Sequence, residues 1–80
     1  MTKNELKKQI LNKINKASQV YVYNGFSEFY FKTRKSDLLY HFHRWYKRSN
    51  YKGNENCLLE WLNDYNDRVT IDDDNNLMFD

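Results

Sequence analysis

The sequence predicts a small α+β domain with the element order αββααββ, in which helices pack on short antiparallel hairpins. Apolar residues recur every three or four positions in three segments, as expected for amphipathic helices. β-Prone residues flank two turn-forming sequences, Asn24-Gly25 and the Asp- and Asn-rich stretch 72–76. A chain of 80 residues is also too short to build two cores, so we expect one domain over residues 1–80.

The first helix is expected over residues 3–17. Thr2 followed by Glu5 fits a capping box, in which the threonine side chain accepts a hydrogen bond from the helix N-terminus. Apolar residues then recur at spacings of four, four and three, which places on one face Leu6, Ile10, Ile14 and Ala17.

A first hairpin is expected to follow, with strands near residues 20–23 and 27–33. Asn24-Gly25 is a dipeptide that tolerates the positive φ angles of a two-residue type I′ turn. Because side chains alternate between the two faces of a strand, we interpret as core one set, Val20, Val22, Phe29 and Phe31. The opposite face would hold Tyr21, Tyr23, Phe26, Glu28, Tyr30 and Lys32.

Two further helices are expected over residues 37–49 and 55–66. Ser36 would cap the first of them, while Gly53 would end it and Asn54 would cap the second. Their apolar faces comprise Leu38, Leu39, Phe42, Trp45 and Tyr46 in one, and Cys57, Leu58, Trp61, Leu62 and Tyr65 in the other. A closing hairpin is expected around the acidic turn, with Val69 and Ile71 before it and Leu77 and Phe79 after it.

Charge is distributed unevenly along the chain. Residues 1–53 have a net charge of +9, whereas residues 54–80 have a net charge of −7. If the two regions also separate in space, the protein has a basic face and an acidic face, and each could steer an oppositely charged partner. The alternative is that the charges interleave and are simply solvated.

The cations of the second helix and of the segment before it would form a basic face that also exposes an aromatic ring. Such a surface can neutralise a nucleic-acid backbone or bind a carboxylate-rich protein. The candidate partner-binding residues are Lys32, Arg34, Lys35, Tyr40, Arg44, Lys47, Arg48 and Lys52.

Two other surfaces are candidates for contact with a partner. The outer face of the first hairpin could stack bases through Tyr21, Tyr23 and Tyr30, unless a second helical layer covers it. An acidic contact face, which could imitate a phosphate backbone, would comprise Glu60, Asp64, Asp72, Asp73 and Asp74.

The sequence does not indicate catalytic or metal chemistry. His41 and His43 are two residues apart on a helix and point about 200° from each other, so they cannot bind one ion together. The acidic stretch 72–76 lacks the glycine of a calcium-binding loop. No nucleophile is paired with a base, and Cys57 lies on an apolar helix face. We therefore expect no metal, no cofactor and no enzymatic activity.

We expect the protein to act in the cytoplasm. No apolar run approaches the roughly 18–20 residues that cross a bilayer, and residues 1–15 lack the continuous apolar stretch of a signal peptide. The lone Cys57 cannot form an internal disulfide. Asn and Lys make up 20 of 80 residues, a bias typical of AT-rich genomes such as those of low-GC bacteria and their mobile elements.

Three hypotheses about function follow. The first is a charge-polarised, non-catalytic protein that binds a larger host protein, which could itself bind nucleic acid, and that could inhibit it. This hypothesis uses an analogy of size and composition with inhibitors from phages and mobile elements. The second is direct nucleic-acid binding through the basic face within residues 32–52. The third is a homo-oligomeric structural protein whose basic half contacts the acidic half of a neighbour.

Overall fold

The computed structural model describes residues 1–52 and 55–80, with the backbone alone for residues 55 and 56. The elements in chain order are α1 (Lys3–Lys16), β1 (Gln19–Asn24), β2 (Phe29–Thr33), α2 (Lys35–Lys52), α3 (Glu55–Arg68), β3 (Val69–Ile71) and β4 (Asn76–Phe79). The predicted α+β class and the order αββααββ are confirmed. The predicted helix-ending Gly53 and helix-capping Asn54 lie outside the described residues.

The N-terminus of α1 has the predicted cap. The Thr2 hydroxyl oxygen accepts a hydrogen bond from the backbone N–H of Glu5 at 3.2 Å, and the Thr2 carbonyl accepts one from Leu6. Ile10 and Ile14 are fully buried one turn apart. The helix ends at Lys16, one residue earlier than expected, because Ala17 is already extended.

The second helix is longer than predicted at both ends. It begins at Lys35, because the Arg34 carbonyl accepts hydrogen bonds from the N–H groups of Asp37 and Leu38. The expected cap Ser36 therefore lies inside the first turn. At the other end, α2 continues to Lys52. The third helix likewise extends past residue 66 and leads directly into β3 at Val69.

The two hairpins join into one four-stranded mixed sheet with the order β2-β1-β4-β3. Each hairpin is antiparallel, while β1 and β4 are parallel neighbours, with Val20 opposite Leu77. The sequence did not predict this parallel pairing. It makes β1 and β4 the central strands and leaves β2 and β3 at the edges.

The first hairpin has a longer turn than predicted. Residues 25–28 form the turn, and Asn24 pairs with Phe29 instead of flanking a two-residue turn. The register therefore differs from the expected one by an even number of residues. An even shift keeps the paired strand residues on their predicted faces, so Val20, Val22 and Phe31 do share one face. Phe26 and Glu28, which were expected on the opposite face, lie in the turn instead.

All three helices pack on a single face of the sheet. The buried strand residues Val20, Val69 and Leu77 lie on that face and join side chains from the three helices in one core. Phe42 is fully buried at the centre of the helical layer, and its ring lies 5.1 Å from that of Tyr65. Tyr65 in turn contacts Phe79 of β4. Among the described residues, no helix packs on the opposite face of the sheet.

Candidate binding surfaces

The first hairpin exposes three phenylalanine side chains, which we call the phenylalanine patch: Phe26, Phe29 and Phe31. Phe26 is fully exposed, while Phe29 and Phe31 expose 68% and 53% of their surface. The prediction that Phe29 and Phe31 belong to the core is therefore wrong, and Val22, predicted with them, is half-buried and outside the core cluster. They lie on the helix side of the sheet, but β2 is an edge strand, and the buried strand residues come from the other three strands.

The turn that presents Phe26 is ordered by the side chain of Asn24. Its Oδ1 accepts hydrogen bonds from the backbone N–H groups of Phe26 at 2.9 Å and Ser27 at 3.4 Å. The Asn24 carbonyl accepts a further one from Glu28 at 2.9 Å. An asparagine that bonds to the backbone two residues onward is a common way to build a turn. The patch is therefore presented by a defined backbone.

The outer face of the hairpin is open to solvent. The candidate residues Tyr21, Tyr23 and Tyr30 all lie there, beside Lys32. Tyr23 and Tyr30 each expose 40% of their surface, whereas Tyr21 is half-buried. The rings of Tyr23 and Tyr30 are 5.2 Å apart and tilted. The Tyr30 hydroxyl donates a hydrogen bond to the Asp80 carboxylate, and this bond raises the pKa of Tyr30. The hairpin therefore has aromatic side chains on both faces.

A stripe of exposed residues runs along α2, which we call the basic ridge: Tyr40, Arg44, Lys47 and Tyr51. Their spacings of four, three and four place them on one side of the helix. Tyr40 exposes 66% of its surface and Tyr51 90%. Arg48 lies next to the ridge and is also exposed. Two cations therefore lie between two aromatic rings on this surface.

Sequence reasoning missed one cation that packs against α2. The ammonium of Lys7 in α1 lies 4.5 Å from the centre of the Tyr46 ring, a cation–π contact. This contact brings the basic N-terminal half of α1 next to α2. The helical periodicity put Lys7 off the apolar face of α1, but nothing in the sequence said which helix would lie beside it.

The eight residues predicted as one basic face do not form one surface. Lys32 lies on the outer face of the sheet, away from the helices. Arg34 forms an ion pair with Asp37 at 3.1 Å, and the Lys35 ammonium donates to the Asn15 carbonyl at 2.9 Å. The remaining five residues lie on α2: Tyr40, Arg44, Lys47, Arg48 and Lys52.

The predicted acidic residues are also divided between locations. Glu60 and Asp64 are exposed on α3, and Asp64 lines a groove between α2 and α3 together with Arg48. Asp72, Asp73 and Asp74 begin the turn between β3 and β4. The next residue, Asn75, holds that turn against the end of α1, since its side chain donates to the Lys16 carbonyl at 2.8 Å. The five predicted acidic residues therefore do not form one surface, and Asp64 lies beside a cation of the basic half.

The histidines and the cysteine have separate environments. His41 Nδ1 lies 3.0 Å from the Tyr65 hydroxyl, and its ring also contacts Phe79. His43 is exposed on α2, and Cys57 is half-buried on α3. Among the side chains of residues 1–52 and 57–80, no three His, Cys, Asp or Glu cluster as metal ligands would. In the same described part of the chain, no helix is both long and apolar enough to span a bilayer.

Comparisons with protein-family models, with curated proteins and with solved structures returned no match for this chain. Four surfaces of the described residues are candidates for binding a partner or a ligand. Three of them are the phenylalanine patch, the basic ridge of α2 and the groove between α2 and α3. The fourth is the outer face of the first hairpin, with Tyr21, Tyr23 and Tyr30, which we call the open tyrosine face.

Proposed function

We propose that this is a small, non-catalytic binding protein that docks onto a larger protein through its first hairpin. The observation that supports this most is the phenylalanine patch on the free edge of the sheet. Large exposed apolar side chains that lie together on a small domain are typical of an interaction site. Aromatic residues are also enriched at protein interfaces relative to the rest of the surface.

The free edge of β2 supplies a second kind of contact. An edge strand presents unpaired backbone N–H and C=O groups, and an extended segment of a partner can pair with them as an added strand. Phe29 and Phe31 on one face, and Tyr30 on the other, would then pack against the alternating side chains of that segment. Backbone pairing would give affinity, and the aromatic side chains would give specificity.

We propose further that the bound hairpin covers a working surface of its partner and so inhibits it. Lys32, on the open tyrosine face, would steer the hairpin toward an acidic surface, because charges at the rim of an interface act mainly on the association rate. By analogy of size and composition, the protein resembles inhibitors from phages and mobile elements that act in the cytoplasm.

The test is capture of partners by tagged protein from nuclease-treated lysate of the native host, compared between matched variants. The test variant combines Phe29→Ser with Phe31→Ser. The control combines Tyr40→Ser with Tyr51→Ser and so removes two other exposed aromatic rings, both on α2. We expect the wild type and the control to recover the same protein and the Phe29/Phe31 variant to lose it.

Two outcomes would reject this function. One is recovery of the same proteins by all three forms. The other is a concentration-dependent mass in light scattering that the Phe29/Phe31 variant abolishes, with no partner captured. The second outcome would instead assign the patch to contact between copies of this chain, the homo-oligomeric hypothesis.

A second candidate function is nucleic-acid binding. It is favoured because the cations on α2 form no ion pair with the carboxylates that the structure describes. Among the side chains of residues 1–52 and 57–80, the ion pair of Arg34 with Asp37 is the only one within 4.0 Å. Arg44 and Lys47 are therefore not neutralised by any described carboxylate. Tyr40 and Tyr51 beside them could stack on unpaired bases, as aromatic side chains do in single-strand binding.

This candidate predicts a defined loss of affinity. Arg44→Glu combined with Lys47→Glu should weaken binding to a single-stranded oligonucleotide. The slope of log affinity against log salt concentration should become less steep by about 1.5, because two phosphate contacts are lost. Lys8→Glu combined with Lys16→Glu changes the net charge equally but on α1. If both double variants weaken binding alike, the ridge has no specific role; if neither does, the candidate fails.

A further inference from the structure

A groove of about 420 Å³ runs between the C-terminal half of α2 and α3. Its apolar wall comprises Trp45, which is half-buried, and Trp61, which leaves 37% of its surface exposed. The volume falls within the range of small-molecule sites, roughly 300–1,000 Å³. An indole that the protein's own core leaves this exposed offers a flat surface for a second ring.

Three cations line the same groove. Arg48 and Lys52 are four residues apart on α2 and therefore lie on the same side of the helix. Arg68 reaches the groove from the last turn of α3. Asp64 is the carboxylate among these lining residues, and over the described parts of the chain no ion pair within 4.0 Å joins it to any of them. The groove therefore combines excess positive charge with an aromatic wall.

The cations and the indole wall together restrict the chemical class of ligand that the groove can bind. An uncharged aromatic molecule would leave three cations without a partner, and a small inorganic anion would leave the indole wall uncovered. A ligand that satisfies both contains an anionic group joined to a planar ring. Arginine is well suited to phosphate because its planar fork of N–H donors matches the phosphate oxygens.

We propose that this groove binds a purine nucleotide. The base stacks on Trp61, and Arg48, Lys52 and Arg68 hold the phosphate. Asp64 sets the choice of base, because an ionised carboxylate only accepts hydrogen bonds. Guanine offers it two adjacent N–H donors, on N1 and on the exocyclic amino group, whereas adenine presents an acceptor at N1. The groove therefore prefers guanine nucleotides. This site is separate from the hairpin and does not depend on its proposed role.

The test uses the protein's own fluorescence. The chain has two tryptophans, and both line the groove, so their emission reports on this site. We expect GMP to cause a saturable change in emission. AMP, guanosine and inorganic phosphate should each bind at least about tenfold more weakly, because each lacks one of the required contacts. Equal responses to GMP, guanosine and phosphate, or no saturable response to GMP, would overturn the proposal.

The same titration separates two sources of the nucleotide. One further ligand is a short single strand that begins with a 5′-phosphorylated guanosine, and another is the same strand without that phosphate. Tighter binding of the phosphorylated strand than of GMP would identify the natural ligand as the end of a nucleic acid. Tighter binding of GMP would identify a free nucleotide. Both results support the site.

Single substitutions test which residue contacts the phosphate and which contacts the base. Arg48→Ala should weaken GMP binding about tenfold or more, since a charge-assisted hydrogen bond to phosphate is lost. Asp64→Asn should reduce the preference for GMP over AMP about tenfold. Lys8→Ala, an exposed change on α1 outside the groove, should leave both unchanged. Wild-type GMP binding by Arg48→Ala would contradict the site, and an unchanged preference in Asp64→Asn would contradict the role of Asp64.

Discussion

Glu28 and Asn75 have positive φ angles, 59° and 62°, and each lies in the turn of a hairpin. Asparagine tolerates this left-handed conformation, whereas for glutamate it costs about 1 kcal/mol. Gly25, in the same turn as Glu28, does not have a positive φ. The first hairpin therefore places a residue with a side chain where glycine would be favoured, and glycine where a side chain fits.

We predict that Glu28→Gly raises the free energy of unfolding by about 0.5–1 kcal/mol, because it removes the cost of the left-handed conformation. Gly25→Ala should be neutral or should raise it by a similar amount, since a Cβ there would meet nothing within 4 Å. Urea denaturation curves measure both changes. A destabilising Gly25→Ala together with a neutral Glu28→Gly would show that the turn has the type I′ conformation expected from the sequence.

Tyr65 is the buried tyrosine of the core, with 4% of its surface exposed. Burial raises the pKa of its hydroxyl well above the ordinary value of 10.0. Above pH 10 the unfolded chain loses this proton while the folded protein keeps it. The unfolded state then binds fewer protons than the folded state, so stability must fall as the pH rises.

We predict that above pH 10 the free energy of unfolding declines more steeply in the wild type than in Tyr65→Phe, by about 1.4 kcal/mol per pH unit. At neutral pH the variant should be less stable by about 1 kcal/mol, because the hydrogen bond to His41 is lost. Denaturation at a series of alkaline pH values gives both quantities. Parallel declines in the two proteins would mean that Tyr65 ionises as readily in the folded state as in the unfolded chain.

Among the elements, β2 shows which structural features the sequence pattern predicts and which it does not. The alternation predicted the correct faces for residues 20–24 and 29–33, because an even change of register leaves them unaltered. It was wrong for Phe26 and Glu28, which lie in the longer turn. It did not predict that Phe29 and Phe31 are exposed. Exposure depends on which strand lies at the edge, and that order is set by β4, about fifty residues later, which pairs with β1. Local periodicity contains no information on such a distant pairing.

In the helices too, the spacing of apolar residues predicts a buried face but not how completely each residue is buried. Leu38, Phe42, Leu58 and Leu62 are buried as their spacing predicts. Trp61 shares their apolar pattern but remains partly exposed in the groove, since helical spacing specifies a face and not how completely a neighbour covers it. The groove site was therefore not predicted from the sequence, although Arg48, Lys52 and Asp64 were each singled out for their charge.

At the edge strand, we predict that stability and partner binding respond separately to substitution. Phe29→Ser combined with Phe31→Ser should change the free energy of unfolding by no more than about 1 kcal/mol, because both side chains are mostly exposed. Val20→Ala, on the neighbouring strand and buried, should cost about 1–3 kcal/mol. Chemical denaturation measures both. If the serine variant proved the less stable of the two, the phenylalanines would belong to the core after all.

At the scale of the whole molecule, one core joins all three helices to the sheet, and Phe42 lies at its centre. A domain of this size has only about 3–5 kcal/mol of stability to lose. Replacement of a buried phenylalanine by alanine costs about 3–5 kcal/mol. Loss of this one buried ring is therefore enough to unfold the domain.

We predict that Phe42→Ala is largely unfolded at room temperature, as judged by circular dichroism. Phe26→Ala is the matched control, because Phe26 is fully exposed, and it should melt like the wild type. A cooperative transition in Phe42→Ala close to that of the control would show that the core does not depend on this ring.

The central claim is that the phenylalanine patch contacts a larger protein, and site-specific photo-cross-linking tests it most directly. A benzophenone amino acid would replace Phe29 in one form of the protein and Tyr40, exposed on α2, in another, with irradiation in cells of the native host. We predict a discrete cross-linked species of higher mass from position 29, with one protein partner, and none from position 40. The same product from both positions, or no protein adduct from position 29, would contradict the claim.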